Sequence, residues 1–151
     1  MVPIRVLVVD DSVTIRAMLE EVLGRETDIQ IVGLAADAMS AIRMVHELRP
    51  HVATLDIAMP GMDGLSLLDT IHLTTNAIML TSRAEAAKDA IERGAMGFFV
   101  KSEILKDPRA LVKMVRKAAG GKTMKPKAIE AEAPEADTAG PDAVDAEAVS
   151  G

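Results

Sequence analysis

The sequence predicts an α/β protein built on a doubly wound, five-stranded parallel sheet. Within residues 4–120, short apolar runs alternate five times with segments whose apolar residues recur at helical spacing. The first run, Val6 to Val9, is apolar at every position, which is typical of a strand covered by helices on both faces. We therefore expect strands that alternate with helices and lie parallel in one sheet.

Each element is bounded by residues that begin or end helices. We predict strands at residues 5–9 (β1), 29–34 (β2), 51–55 (β3), 77–80 (β4) and 97–100 (β5). We predict helices after Ser12 (α1), Asp37 (α2) and Asp63 (α3), and over residues 84–93 (α4) and 108–119 (α5). Gly24, Pro50 and Gly94 are expected to end α1, α2 and α4.

Length and composition indicate one globular domain. The 151 residues can bury a core without metals or disulfides, and the absence of Cys excludes disulfides and thiolate metal sites. The N-terminus lacks the pattern of a signal peptide, and no apolar run approaches the length of a membrane span. We expect a cytoplasmic protein that does not contact membranes.

The net charge of -6 is unevenly distributed. Residues 128–151 contain seven Asp or Glu and no Lys or Arg, whereas the first 127 residues contain 17 basic and 16 acidic residues. The last segment is rich in Ala, Glu, Asp, Pro and Gly, a composition that predicts disorder. We place a domain at residues 1–120 and a basic linker with a disordered acidic tail at 121–151. One hypothesis is that the tail covers the face of α5, because residues 101–127 hold nine basic and two acidic residues.

Polar residues of complementary kinds follow four of the predicted strands. Asp10 and Asp11 follow β1, Asp56 follows β3, Thr81 follows β4 and Lys101 follows β5. The carboxyl ends of parallel strands meet at one crevice, where three carboxylates would repel one another unless a hard cation such as Mg²⁺ lay among them. A cation and a lysine beside a carboxylate suit phosphoryl transfer, with Asp56 as the nucleophile.

The motifs at these strand ends resemble the receiver domain of bacterial response regulators. The resemblance covers residues 4 to about 120 and rests on residues 6–12 (VLVVDDS), 55–64 (LDIAMPGMDG), 79–81 (MLT) and 99–101 (FVK). Residues 10–16 (DDSVTIR) and 54–60 (TLDIAMP) are similar to the receiver half of chemotaxis methylesterases. The chain is too short to include an esterase half, so we expect a stand-alone receiver.

This resemblance implies a flavodoxin-like (βα)5 fold with strand order 2-1-3-4-5. It also implies that Asp56 accepts a phosphoryl group from a sensor histidine kinase. Asp10, Asp11, Asp56 and the carbonyl of Ala58 would hold Mg²⁺.

The resemblance assigns the remaining roles to β4 and β5. Thr81 and Lys101 would bind the new phosphoryl group, and Phe98 would be the switch residue of an α4-β5-α5 face that binds a protein target. Two positions depart from the family pattern. Phe98 stands where tyrosine is common, and Ser102 follows Lys101 where a cis proline is common. A non-proline cis peptide costs about 2.5 to 4 kcal/mol, so the arrangement of the β5-α5 loop is left open.

Three other functions fit the sequence less well than a switch does. A haloacid-dehalogenase-like phosphohydrolase needs a second Asp two positions after its nucleophile, and Ser12 stands there relative to Asp10. A flavodoxin-like cofactor binder needs a phosphate-binding loop after β1, where this chain has acidic residues. A pseudo-receiver used only for docking would not need all five polar residues. Without a DNA-binding domain, we expect a monomer that contacts proteins and no nucleic acid, as a switch or as a phosphate sink or shuttle in chemotaxis or another pathway.

Overall fold

The computed structural model describes residues 2–59, 63–82 and 87–120. Five strands alternate with five helices, and a short 3₁₀ helix at Lys101–Glu103 precedes the last helix. The strands are β1 (Ile4–Val9), β2 (Ile29–Ala35), β3 (Val52–Asp56), β4 (Asn76–Thr81) and β5 (Gly97–Val100). The helices are α1 (Val13–Gly24), α2 (Ala38–Leu48), α3 (Gly64–Ile71), α4 (Ala87–Glu92) and α5 (Pro108–Ala119). Residues 84–86 of the predicted α4 and the predicted tail lie outside the described residues.

The five strands form one parallel sheet in the order β2-β1-β3-β4-β5, which confirms the expected topology. The strand register aligns the polar ends. Val9 of β1 pairs with Leu55 of β3, so the residues that come next, Asp10 and Asp56, lie side by side at the ends of these strands. Thr81 pairs with Val100, which brings Lys101 to the same edge.

Helices cover both faces of the sheet and divide the core into two apolar clusters. α2, α3 and α4 pack on one face, with Leu55, Leu67 and Met79 among the buried residues. α1 and α5 pack on the other face, where Leu19, Leu111 and Phe99 are buried. Strand alternation places the neighbouring Phe98 on the first face, half-buried against its cluster. Phe99 is thus the buried residue of the pair, and Phe98 keeps part of its exposure.

Side-chain caps begin α1, α2, α3 and α5. The predicted caps Asp37 and Asp63 accept hydrogen bonds from the backbone of Ser40 and Ser66, at 2.8 and 2.9 Å. α1 ends at Gly24, as predicted, although Gly24 does not adopt a left-handed conformation. α2 ends at Leu48, and its cap Arg49 has a φ of 48° and directly precedes Pro50, a neighbour that disfavours helical conformation.

Two contacts fix α5 against the rest of the domain. The Asn76 side chain, at the start of β4, donates a hydrogen bond of 2.7 Å to the carbonyl of Ala118 in the last turn of α5. Arg116 binds both carboxylate oxygens of Asp28, at 2.8 and 2.9 Å, and also contacts Glu26 at 2.8 Å. Within the described ranges, none of the helices has the length and apolar composition needed to cross a bilayer.

Candidate functional site

A pocket of about 350 Å³ opens at the carboxyl edge of the sheet. Its lining residues come from the ends of three strands and from the β1-α1 loop. They include Asp11, Asp56, Ala58, Thr81 and Lys101, all of which were predicted from the sequence. The prediction that these strand ends converge is therefore confirmed.

Lys101 joins two buried carboxylates at this edge. Its Nζ lies 2.9 Å from Asp56 Oδ1, to which it donates a hydrogen bond, and 3.2 Å from Asp10 Oδ2. Asp10 has no solvent exposure, Asp56 is 3% exposed, and the Lys101 side chain keeps 18% of its exposure. One ammonium group thus lies between two carboxylates that water barely reaches.

The β1-α1 loop holds Asp10 through both its side chain and its backbone. Asp10 Oδ1 accepts a hydrogen bond of 2.8 Å from the backbone N-H of Ser12. The Arg16 guanidinium, one turn into α1, donates a hydrogen bond of 2.6 Å to the Asp10 carbonyl. We did not predict this role for Arg16, because helical periodicity places the residue without showing which loop carbonyl it reaches.

The loop after β3 is shaped by a close approach of Gly64 to Asp56. The Gly64 N-H donates a hydrogen bond of 2.7 Å to the Ile57 carbonyl, and the Ala58 N-H donates one of 3.2 Å to Asp56 Oδ1. A β-carbon at position 64 would lie 2.0 Å from the Asp56 carbonyl oxygen. The sequence indicated only a turn and a helix cap at Asp63 and Gly64, so the need for glycine at this contact was missed.

The carboxylates form a group suited to a hard divalent cation. Asp10, Asp11 and Asp56 offer oxygens that lie within 4.8 Å of one another. Asp10 Oδ2 is buried and accepts no hydrogen bond from the described residues, although it is in ion-pair contact with Lys101. Three ionised carboxylates and one ammonium carry a formal charge of −2. An unsatisfied buried oxygen and excess negative charge both fit a cation with oxygen ligands.

Burial and neighbouring charges shift the pKa of both partners of the central ion pair. Burial raises the pKa of Asp56, and the charge of Asp10 adds to this effect against the opposing influence of Lys101. Burial alone would lower the pKa of Lys101, but the hydrogen bond to Asp56 and the charges of Asp10 and Asp56 outweigh it and raise that pKa. Lys101 is therefore held as a cation at this edge.

The ends of β4 and β5 place the remaining predicted residues. Thr81 is 5% exposed and lines the pocket. Its partner in the sheet register is Val100, and Phe98 lies two residues before Val100 on the same strand. Lys101 and Ser102 are joined by a trans peptide and begin the 3₁₀ helix. The sequence left the arrangement of the β5-α5 loop at Ser102 open, and the structure has a trans peptide there.

Comparison with known proteins assigns the class. The family model described as the response regulator receiver domain matches residues 6–116. The chain therefore belongs to the receiver domain family of two-component response regulators.

The curated relatives include protein-glutamate methylesterase/protein-glutamine glutaminases. The chain is 44% identical over 115 residues to a protein-glutamate methylesterase/protein-glutamine glutaminase of Methanospirillum hungatei, with 72% of this chain and 34% of the relative covered. It is 40% identical over 130 residues to another from Myxococcus xanthus, with 78% of this chain and 37% of the relative covered. The chain thus spans about a third of the length of these relatives.

Solved structures share both the fold and part of the sequence. The response regulator domain of Thermotoga maritima CheB is 31% identical, with a TM-score of 0.73, and the match covers 82% of this chain and 99% of that domain. A chain of the CheX-CheY-BeF3-Mg+2 complex of Borrelia burgdorferi is 30% identical, with a TM-score of 0.62 and coverage of 73% and 90%. Both structures share the fold of this chain.

Proposed function

We propose that this chain is the phosphoryl acceptor of a two-component phosphorelay, with Asp56 receiving the phosphoryl group from a phosphohistidine of a sensor kinase. The observation that carries the proposal is the pairing of Lys101 Nζ with Asp56 and Asp10, at 2.9 and 3.2 Å, beside the pocket that Asp56 and Lys101 line. A nucleophilic carboxylate beside a fixed cation is the arrangement that phosphoryl transfer requires.

In the proposed step, Asp56 attacks phosphorus in line with the leaving imidazole. Oδ1 accepts hydrogen bonds from Lys101 and the backbone of Ala58, so Oδ2 supplies the electron pair for the new P–O bond. The P–N bond breaks as that bond forms, and its electron pair returns to the imidazole nitrogen. The same step in reverse, or attack by water on the acyl phosphate, removes the phosphoryl group from Asp56.

In the proposed step, charge compensation comes from residues that line the pocket or lie beside it. Asp10, Asp11, Asp56 and the Ala58 carbonyl would hold Mg²⁺, which supplies positive charge beside the phosphoryl oxygens when bound. Lys101 pairs with one of these oxygens after transfer, and the Thr81 hydroxyl donates to another. Charge-assisted hydrogen bonds of this kind contribute about 1.5 to 3 kcal/mol each.

The output of the switch is a changed protein-binding surface made by α4, β5 and α5. Thr81 moves toward the phosphoryl group, and Phe98 follows it toward the core because its half-buried ring already packs on that face. Moving a population from about 1:99 to 99:1 takes roughly 5.5 kcal/mol, which two or three bonds to the phosphoryl group supply.

The phosphoacceptor role is tested by replacing Asp56. Wild type, Asp56→Asn and the matched control Asp69→Asn are incubated with acetyl phosphate and Mg²⁺, and the bound phosphoryl group is measured by intact mass. Asp69 is an exposed carboxylate on α3. We expect wild type and the control to gain one phosphoryl group and Asp56→Asn to gain none. Equal labelling of Asp56→Asn would contradict the proposal.

We further infer a role in cytoplasmic chemotaxis signalling. The support is the identity of 44% and 40% to chemotaxis methylesterases and of 31% to the CheB response regulator domain. Phosphotransfer from a chemotaxis kinase should then be faster than from other kinases of the same cell. A phosphate sink would accept phosphate equally fast but would gain no affinity for any target on phosphorylation, and this difference separates the two roles.

A further inference from the structure

A second pocket, of about 500 Å³, lies between α1 and α5 and shares no lining residue with the pocket that holds Asp56. Val22 and Val112 form part of its apolar lining and are 7% and 6% exposed. Leu105, also in the lining, keeps 61% of its exposure. We call this pocket the α1-α5 groove, and it offers apolar surface to a chain segment that carries an apolar side chain.

A line of exposed cations runs along α5 beside the α1-α5 groove. Arg109, Lys113 and Lys117 follow one another at intervals of four residues, so they lie on the same side of the helix. α5 contains no acidic residue. Within the described residues these three cations form no ion pair, in contrast to Arg116, which binds Asp28 and Glu26. Glu21 and Glu26 also line the groove, but they are paired with Arg25 and Arg116. The three cations of α5 therefore leave this surface with an excess of positive charge, which attracts carboxylates.

The chain itself carries a complementary segment. After Gly120 the sequence continues for 31 residues, and residues 129–137 (IEAEAPEAD) contain one large apolar side chain, four acidic residues and no basic residue. To return along α5 to Arg109, the chain must cover roughly 17 Å, at a rise of 1.5 Å per residue. Nine residues span up to about 30 Å when extended, so Ile129 can reach the groove.

We propose that residues 129–137 dock into the α1-α5 groove of the same molecule. Ile129 then covers Val112 and Leu105, and the carboxylates of the segment face Arg109 and Lys113. A short tether gives the segment an effective concentration in the millimolar range, so a contact with a dissociation constant of about 1 mM is half-formed. Docking is weakened by salt, because the attracting charges are exposed. It also masks this face of α5 from acidic partners.

The test uses the full-length chain, which contains no Cys and therefore accepts a single spin label. Ala131→Cys carrying a nitroxide is prepared with nitrogen-15 labelling, and the loss of amide peak intensity is mapped by NMR. Intramolecular docking predicts losses of about half or more for the amides of Val22, Arg25 and Val112. Neutralising the segment with Glu130→Gln, Glu132→Gln, Glu135→Gln and Asp137→Asn, or raising the salt concentration, should restore these peaks.

Matched charge reversals locate the contact. Arg109→Glu should restore the peaks of the α1-α5 groove, whereas Lys88→Glu, an exposed cation on α4, should leave them broadened. Peak losses that are confined to residues near Gly120 would overturn the proposal. Losses that appear when spin-labelled and isotope-labelled molecules are mixed would also overturn it, because they would assign the groove to a second copy of the chain.

Discussion

Gly64 approaches the backbone of Asp56 so closely that a β-carbon would lie 2.0 Å from the Asp56 carbonyl oxygen. We predict that Gly64→Ala lowers the free energy of unfolding by about 1 to 3 kcal/mol, because the added methyl group forces the β3-α3 loop away. Gly24→Ala is the matched control, since its β-carbon meets no atom within 4 Å and helix propensity favours Ala by about 1 kcal/mol. Urea unfolding measures both. A fully stable Gly64→Ala would contradict the close approach.

Asp11→Ala should affect stability in opposite directions with chelator and with Mg²⁺. In chelator, Asp11→Ala is expected to be at least as stable as wild type, because one of three like charges is gone. With Mg²⁺ at ten times its dissociation constant, wild type should gain about 1.4 kcal/mol and the variant little. Thermal unfolding with and without Mg²⁺ measures the crossover. An equal gain in both proteins would place the cation elsewhere.

Thr81→Ala should separate phosphorylation from switching. Asp56 and Lys101 remain in place, so the variant is expected to accept phosphate from acetyl phosphate. The amide shifts of β5 and α5 should then change by far less than in wild type. Thr70→Ala, an exposed threonine on α3, serves as the control and should switch normally. Identical phosphorylation-dependent shifts in wild type and Thr81→Ala would exclude Thr81 from the switch.

Thr54 is completely buried in β3, and its hydroxyl has no hydrogen-bond partner in the described residues. Because burial removes the hydroxyl from water without replacing its hydrogen bond, Thr54→Val should raise the free energy of unfolding by about 1 kcal/mol. Thr70→Val, at an exposed position, should change it by less than about 0.5 kcal/mol. A loss of stability in Thr54→Val would indicate that the hydroxyl is satisfied in solution.

The Arg116 contact should make a pH-dependent contribution to stability. The hydrogen bond from Arg116 lowers the pKa of Asp28 in the folded chain. The stabilisation is therefore fully present above the unfolded pKa of about 3.9, and it is lost as the pH falls through the lower folded value. The urea midpoints of wild type and Arg116→Gln should differ at pH 7 and converge below about pH 4. A difference that grows in acid would contradict this sign.

The sequence was sufficient to predict the sheet and the strand-end residues, because both depend on repeating patterns. Consecutive apolar positions such as Val6 to Val9 mark buried parallel strands, and the polar residue after each strand falls at the shared edge. Asp56 and Lys101 therefore meet although 45 residues separate them in the chain.

Other features depend on distances between segments that no pattern encodes. The reach of Arg16 to the Asp10 carbonyl requires the orientation of α1 relative to the loop. The crowding of Gly64 against Asp56 requires the path of the β3-α3 loop. α1 ends at Gly24, as the pattern predicts, but only the backbone angle shows that Gly24 does so without adopting the left-handed conformation.

The hydrogen bond between Asn76 and Ala118 determines how the chain leaves the domain. Asn76 begins β4 and Thr81 ends it, so the two residues lie about 17 Å apart at opposite edges of the sheet. The last turn of α5 is therefore held at the edge remote from Asp56. In the proposed switch, the point at which the chain continues after Gly120 would stay in place when Thr81 moves. A domain attached at this point would not be moved directly by phosphorylation. It would respond only by binding to the altered surface.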